Sequence, residues 1–567
     1  MKKNQKEFLW ISLIATVIYC LVFVWFTQPL VSFSNTGYIG FEENGDAHQY
    51  YWNIFNLKEQ IHQFKNPFYS NYIFAPEGTS MVMHTYTPIL GLFSLVIDNN
   101  ILALNIFLFL NFILSAIGAY LLCYKYNSNP ILSISAGIVY AFCPYKILHL
   151  IEHYHLLFTA AVPFFILCFL KAFEFYKGGF FPKVINKKYV LYCFVLGVIL
   201  FLSDYYATFS ILYFCLFYAL YYKFVAGINY RSLKFWVITI AILVVCHILL
   251  HQFKVHGVNN KGALWWSGDL WGYIIPHFNS QWLYNDRFAQ IEKAIYHYPG
   301  SVEYSMFLGY SVLLLLVVFI VWLFNHSLTE GLKPIAFLAL VFFLMTVPDL
   351  KFGGKSLFNL PLSFFHYIPF FNNIRSPTRM LPMVALCFMP LGLYVISSLI
   401  SRRPQLNYVI GFVLIMLLVI EYKPVNYPIV KVSAVPEVIN KLKIMPSGNL
   451  LYIPFGVRDG FIEQGKFQTK KLWYQTIHGK PLIDGYISRL SSATKEKFKA
   501  EIFSVMDSMQ TDRTYVLANV HFNLPVRYIL VEPEYRSNFE AFFDEVLNKK
   551  RVNSKLEIDG YLLYKVY

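Results

Sequence analysis

Charge is scarce in this sequence. Asp, Glu, Lys and Arg make up 14% of its 567 residues, against about 25% in soluble globular domains. Hydrophobic residues reach 57%. A water-soluble core has no room for so much apolar surface, whereas lipid accepts it, so the scarcity excludes a soluble chain and points to a polytopic membrane protein. The signatures of nucleotide and hydrolytic chemistry are missing too: there is no Walker loop, GxGxxG, HExxH or GxSxG. No DxD pair is present to hold a metal–nucleotide-sugar. Any group transfer therefore needs a substrate that is already activated and delivered through the membrane.

Paired cysteines are also missing. Cys20, Cys123, Cys143, Cys168, Cys193, Cys215, Cys246 and Cys387 all lie in or at the ends of apolar runs, with no CxxC among them, so no disulfide framework is implied. No internal repeat or low-complexity tract is present.

What is present is a series of apolar runs, near 8–28, 100–123, 130–144, 155–173, 189–203, 206–224, 235–252, 307–325, 334–348, 380–400 and 407–422. A span needs about 20 residues, which gives about eleven spans, with 130–144 the weakest. The first run follows Lys2, Lys3 and Lys6. It is too long for a signal peptide and lacks a small-residue cleavage site, so it reads as the first span, with its N-terminus cytoplasmic. The even-numbered links then carry Lys125, then Lys177, Lys183, Lys187 and Lys188, then Lys223, Arg231 and Lys234, then Lys333, then Arg402 and Arg403. This is the positive-inside pattern. It absorbs much of the net charge of +15, which otherwise invites a nucleic-acid reading, and no nucleic-acid partner is expected.

The outer links, about 30–87, 253–306 and 349–378, are long and rich in acids, histidines and aromatics, so the working face is expected outside. From about 424 the composition turns polar. "NLLYIPF" and "RYILVEP" read as short buried strands, "AVPEVINKLK" and "NFEAFFDEVLNKK" as helices, and "KLEIDGYLLYKVY" as a hairpin turning at Asp559-Gly560. The expected fold is mainly α: residues 1–423 a transmembrane helix bundle, residues 424–567 a soluble extracytoplasmic α/β domain. The expected location is the cell (inner or plasma) membrane.

Candidate chemistry gathers in the outer links. In "GDAHQYYW" Asp46 precedes Tyr50, Ile54, Leu57, Ile61 and Phe64 at helical spacing, which suggests an amphipathic helix on the membrane. Asp46 then reads either as its N-cap or as a general base at the membrane surface, and both can hold. His48 and Trp52 beside it are candidate substrate contacts. "YIFAPEGTSMVMHTYTP" brings His84 to the point where the chain re-enters the membrane.

"CPYKILHLIEHYHLLF" carries Glu152, His153 and His155 as possible substrate contacts. His149 and His153, four apart, have a metal-capable spacing, but no third ligand is fixed, so no metal site is assigned and a divalent ion stays an option. Asp204, with Tyr205, sits between two spans with almost no loop. Acids near membrane depth are costly and functional by default, although a solvated turn explains it as well. Asp269 lies among tryptophans in "WWSGDLWGYIIPHF". In "FFNNIRSPTRM", Arg375 and Arg379 stand outside, against the positive-inside trend, where a guanidinium fork suits a phosphate or a lipid headgroup.

Five stretches, "NGDAHQYYW", "FAPEGTSMVMHT", "SDYYAT", "SGDLWGYIIP" and "NNIRSPTRM", together resemble the bacterial integral-membrane glycosyltransferases of the GT-C superfamily, in particular its YfhO-type branch. The resemblance rests on their order along residues 1–400. It implies a GT-C-type bundle that moves a sugar from a polyprenyl-phosphate-linked donor to an outer acceptor (glycan, lipid, wall polymer or protein) with inversion. Asp46 matches the family's catalytic acid in the first external loop, and Asp204, Asp269 or Glu152 offers a second acid. Arg375 and Arg379 would face the departing phosphate. A flippase of lipid-linked sugars and a non-catalytic envelope assembly protein are the competing readings. A flippase predicts internal repeats and broken midplane helices, which the sequence does not display.

Overall fold

The computed structural model describes residues 2–43, 45–228, 233–255, 266–368, 376–403, 405–432, 435–460, 463–490, 526–536 and 552–566, and absences stated below refer to these residues. Each apolar run forms a helix: Lys2–Phe26, Asn100–Asn127, Pro130–Phe142, Ala161–Ala172, Lys187–Ser203, Tyr205–Leu220, Leu233–Val255, Tyr310–Asn325, Lys333–Thr346, Leu381–Leu399 and Leu406–Tyr422. Six stretches are long and apolar enough to cross a membrane: Lys6–Phe26, Asn100–Asn127, Pro130–His149, Tyr154–Ala172, Tyr205–Val225 and Pro377–Leu399. Shorter apolar helices accompany them. By this length and composition the chain is a mainly helical, multi-pass membrane protein.

The chain divides into two units, one of Met1–Val31, Leu108–Leu150 and Leu156–Tyr427, the other of Ser32–Phe107, Ile151–His155 and Pro428–Tyr567. In the first unit the run that reads as the weakest becomes the best-buried of the six candidate spans: Pro130–His149 is 94% buried. Its start is well specified. Asn129 is extended and accepts from the backbone N–H of Ile131 and Leu132, at 3.1 and 3.2 Å, with Pro130 at the first helical position. Small residues then let neighbours approach closely. A Cβ on Gly137 would lie 2.1 Å from the Tyr19 hydroxyl, which donates to the Ile134 carbonyl at 3.0 Å. A Cβ on Gly411 would lie 2.7 Å from Ile131.

In the second unit a four-stranded sheet runs in the order Val552–Ile558, Tyr561–Val566, Val526–Val531, Asn449–Ile453. The last two strands are parallel and the others antiparallel. The expected hairpin is present, with Asp559 and Gly560 at φ 53° and 79° as a two-residue primed turn requires. "AVPEVINKLK" supplies the helix Glu437–Ile444. The expected helix over "NFEAFFDEVLNKK" lies outside the described residues. A second sheet holds Glu463–Gly465, Gly456–Arg458 and Gly485–Tyr486. Gly37–Ile39, from the first long link, pairs antiparallel with Ile429–Lys431. One apolar cluster joins Trp52, Ile73 and Phe74 to Ile453, Leu472 and Ile529, so both ends of the chain contribute to one core.

The helix Ala47–His62 departs from the sequence reading. It does not present a polar face to water. His48, Gln49, Asn53, Asn56 and Gln60 are buried along with its apolar residues. Asn53 donates to the Thr85 carbonyl at 2.9 Å, Asn56 donates to the Tyr86 hydroxyl at 2.9 Å, and Gln49 accepts from Thr85 Oγ1 at 2.9 Å. The polar stripe consists mostly of amides, which can be buried once hydrogen-bonded, rather than charges, which resist burial.

In the same unit, Lys471 is wholly buried. Its Nζ donates to Asp484 Oδ2 at 2.5 Å, to the Tyr452 carbonyl at 3.0 Å and to the Pro454 carbonyl. Lys471→Met is expected to cost about 3–5 kcal/mol, because it leaves a buried carboxylate without its counter-charge. Thermal unfolding of the purified variant measures this, and a Tm within error of wild type would contradict it.

Candidate functional site

Asp46 occupies the N-cap position of Ala47–His62, yet its side chain makes no capping hydrogen bond, and its backbone is already helical at φ −64° and ψ −14°. The carboxylate is turned elsewhere. Its Oδ2 lies 3.6 Å from His153 Nε2 and its Oδ1 lies 3.8 Å from Arg458 Nη1. Asp46 and His153 side chains are each 15% exposed, and Arg458 is 30% exposed, so the group is sheltered but reachable. The turn that carries Asp46 is clamped by the helix Lys470–His478. Thr469 Oγ1 donates to the Gly45 carbonyl at 2.9 Å, and Lys470 Nζ donates to Glu43 at 2.8 Å and lies 3.3 Å from Glu532.

Arg458 was not among the residues singled out from the sequence. It ends the short strand Gly456–Arg458, stacks its guanidinium on the Tyr486 ring at 4.9 Å, and has its pKa raised by Tyr486, Asp46, Glu463 and Glu152 against the effect of burial. Glu152 therefore contributes to the same electrostatic group. His155 lies one residue beyond Tyr154. Its Nδ1 is bonded to the Tyr50 hydroxyl, and its ring lies 5.8 Å from that of Tyr50 and 6.0 Å from that of His153. The helix Pro144–His149 ends at His149, with Leu150 as its cap. His149 and His153 therefore do not lie on one continuous helix.

His84 is buried and bonded to Ser488. Its Nδ1 accepts from the Ser488 backbone N–H at 3.0 Å, so Nε2 carries the hydrogen, and the ring meets Tyr486 edge-on at 6.2 Å. Burial lowers its pKa to about 3. His48 and Trp52 offer no open face to a substrate, contrary to the sequence reading. The His48 Nε2–H donates to the Glu42 carbonyl at 2.8 Å, Nδ1 accepts from the Tyr38 hydroxyl at 2.6 Å, and the ring stacks on Trp473. Trp52 is 1% exposed and its indole N–H donates to Gln475 at 2.6 Å. Both are core residues, because each polar atom finds a partner inside.

The remaining candidates lie in the first unit. Asp204 is 9% exposed and caps Tyr205–Leu220, accepting from the backbone N–H of Tyr206 at 2.5 Å and of Ala207 at 3.1 Å. Tyr205, half-buried, packs on Phe201 with ring centroids 5.6 Å apart. Asp269 is 1% exposed and accepts from three backbone N–H groups, of Trp271, Gly353 and Gly354, at 2.9, 3.3 and 2.7 Å. It fastens the hairpin Asp349–Phe352/Lys355–Asn359, which is why an acid stands among those tryptophans. Arg379 forks onto Glu303, its Nε donating to Oε2 at 3.1 Å and its Nη2 donating to Oε1, with its guanidinium 4.6 Å over the Tyr206 ring. A buried carboxylate thus takes the fork that the sequence reading gave to phosphate. Arg375 lies outside the described residues.

Among solved structures, the chain is similar to the archaeal oligosaccharyltransferase AglB from Archaeoglobus fulgidus in complex with an inhibitory peptide and a dolichol-phosphate. The identity is 12% and the TM-score 0.44, over 99% of this chain and 74% of that one. For the apo form of the Archaeoglobus fulgidus oligosaccharyltransferase the values are 11%, 0.45, 93% and 70%. For the same enzyme tethered to an acceptor peptide they are 12%, 0.42, 96% and 72%. No curated protein matches the chain. A family profile described as "Domain of unknown function (DUF6311)", and not a YfhO-type profile, matches residues 15–421.

Proposed function

We propose that this chain, which belongs to the DUF6311 family, is a membrane glycosyltransferase. In this reading Asp46 takes the proton of an acceptor hydroxyl while a sugar leaves a polyprenyl phosphate. One observation carries it: a sheltered carboxylate stands at a cap position without capping, and faces an imidazole and a guanidinium instead. A capping acid has its oxygens on backbone N–H groups, as at Asp269 and Asp204. The order of the five motifs in the sequence supports the same reading.

The chemistry is a single displacement. The acceptor oxygen forms a bond to the anomeric carbon, the bond from that carbon to the phosphate oxygen breaks, and the electron pair leaves with the phosphate. The acceptor proton passes to Asp46, and the anomeric centre inverts. Arg458 beside Asp46 brings a fork suited to the departing phosphate. That is the role the sequence had given to Arg375 and Arg379. No step requires a metal. The acceptor class (glycan, lipid, wall polymer or protein) follows from the assay. In that assay, purified protein in nanodiscs receives a polyprenyl-phosphate-linked sugar, and mass spectrometry reads the acceptor. If neither donor consumption nor transfer exceeds that of Asp46→Asn for any donor, the reading falls.

In this proposal residues 424–567 lie outside the cell (inner or plasma) membrane, with the N-terminus cytoplasmic. Ser447 is exposed. A cysteine at Ser447 is expected to react with a membrane-impermeant maleimide in intact cells. Labelling only after lysis would reverse the orientation.

A further inference from the structure

Six lysines gather at one end of the first unit, and nothing in the transfer chemistry uses them. The link over 171–188, "KAFEFYKGGFFPKVINKK", holds five of them, Lys171, Lys177, Lys183, Lys187 and Lys188, and a single acid, Glu174. The fold adds the sixth. Phe173–Glu174 pairs antiparallel with Lys183–Val184, and the turn between them is tied to the end of the stretch Tyr205–Val225. There the Gly178 N–H donates to the Tyr222 carbonyl and Lys223 Nζ donates to the Gly178 carbonyl, both at 2.9 Å. Lys171 Nζ lies 5.1 Å over the Tyr189 ring, which joins the start of Lys187–Ser203 to the same group. All six lysines are exposed. None forms an ion pair among the described residues. Glu174 already accepts from the Tyr176 hydroxyl at 2.5 Å.

Where the cluster sits says what covers it. Two stretches long and apolar enough to cross a membrane, Tyr154–Ala172 and Tyr205–Val225, both end in it. A span ends where the hydrocarbon ends, so the lysines stand at the headgroup level of the bilayer. Phe181 and Phe224, 83% and 62% exposed, stand among them. Exposed rings of this kind are costly in water and favoured at the boundary between headgroups and acyl chains. Lys187 and Lys188 occupy the first turn of Lys187–Ser203, with Asn186 as the cap. Positive charge there opposes the helix dipole, so helix stability does not account for it. Six like charges without a counter-charge in the described protein attract anions, and a leaflet that contains acidic lipid supplies them at this level. An ammonium binds a phosphate as a point charge, while its apolar stem lies along the acyl boundary.

We propose that this lysine–aromatic cluster binds the phosphate headgroups of anionic phospholipids in the adjoining leaflet. The proposal does not rest on the role given to Asp46. It is tested on the full chain, reconstituted in phosphatidylcholine bilayers that carry a trace of spin-labelled phosphatidylglycerol or of spin-labelled phosphatidylcholine. The EPR spectrum gives the fraction of each label that the protein immobilises. At low salt the protein is expected to favour phosphatidylglycerol by roughly fivefold, the effect of about one lysine near an anionic surface. The preference is expected to shrink as salt rises, because screening shortens from about 30 Å at 0.01 M to about 10 Å at 0.1 M. The combined variant Lys177→Gln, Lys183→Gln, Lys187→Gln and Lys188→Gln removes four exposed charges. Its Tm is expected to hold while its preference falls to near parity, and arginine at the same four positions is expected to retain the preference. Two results overturn the proposal: the wild type immobilises both labels equally, or the glutamine variant keeps the wild-type preference. In either case the lysines serve water or a soluble acidic partner and not the bilayer. The wild-type comparison and its salt dependence need no variant, so they decide the proposal even where the glutamine variant does not fold. Because the readout is lipid binding, its failure is separate from a failure of transfer.

Discussion

Purified Asp46→Asn protein is expected to fold as wild type does and to lose roughly a hundredfold or more of its transfer rate. The two halves of that expectation come from different facts. Asn cannot take a proton, so the base is lost. Asn is also nearly isosteric with Asp, and the side chain it replaces makes no capping bond, so no helix stability is at stake. A cap would tolerate Asn equally well, which makes the substitution a clean separation of the two roles. The neighbours sharpen the reading: with the carboxylate gone, Arg458 and His153 lose the anion they face at 3.8 and 3.6 Å. Donor binding through the guanidinium is expected to persist. Transfer by Asp46→Asn within a few-fold of wild type, measured with purified protein and a lipid-linked donor, removes Asp46 from the mechanism.

Acid is expected to unfold the second unit between pH 6.5 and 4. Burial lowers His48 from 6.5 to about 4, and His84 and His478 to about 3. In the unfolded chain each takes a proton near pH 6.5, while in the folded unit none does until the pH falls to about 4 or below. The unfolded state therefore binds more protons across this window, so stability rises with pH there and is lost as the pH falls. Each histidine contributes roughly 3 kcal/mol of loss by pH 4, and three together rival the whole stability of a typical domain, about 5–15 kcal/mol. Denaturant unfolding at stepped pH, followed by tryptophan fluorescence, gives the slope. His478→Asn keeps an acceptor where Nδ1 receives the Lys480 N–H at 2.9 Å, and is expected to reduce the slope by about one proton's worth. A pH-independent midpoint over this window would mean that the three rings are already protonated inside.

Periodicity and turn chemistry made the helices and the Asp559-Gly560 hairpin legible, because each is set by residues close in sequence. Asp46 was legible only as an ambiguity, since capping depends on where a carboxylate turns and not on its position in the chain. Arg458 was illegible: it sits in a three-residue strand at the other end of the chain, and nothing in "FGVRDG" separates it from a surface arginine. The glycine on either side of "VRD" was the one available signal. The amide-rich stripe of Ala47–His62 was misread for an instructive reason. Hydropathy scores Asn and Gln nearly as low as charges, but an amide is buried readily once it has a partner and a charge is not. Arg379 failed differently, because the carboxylate that takes its fork lies far away in sequence, at Glu303.

The second unit is assembled from three separated stretches of the chain, and this has a consequence for its synthesis. When the first long link leaves the ribosome, the strand Gly37–Ile39 has no partner, because Ile429–Lys431 has not been translated. The Trp52 indole likewise waits for Gln475, and the Gly45 carbonyl for Thr469. Closing so long a loop carries an entropic cost, so the segment spends most of translation with an open edge and an unfilled core. A premature stop just before Pro428 yields a polypeptide that retains the apolar helices up to Leu406–Tyr422 yet lacks Arg458 and the scaffold around Asp46. Such nascent chains are natural substrates for quality control.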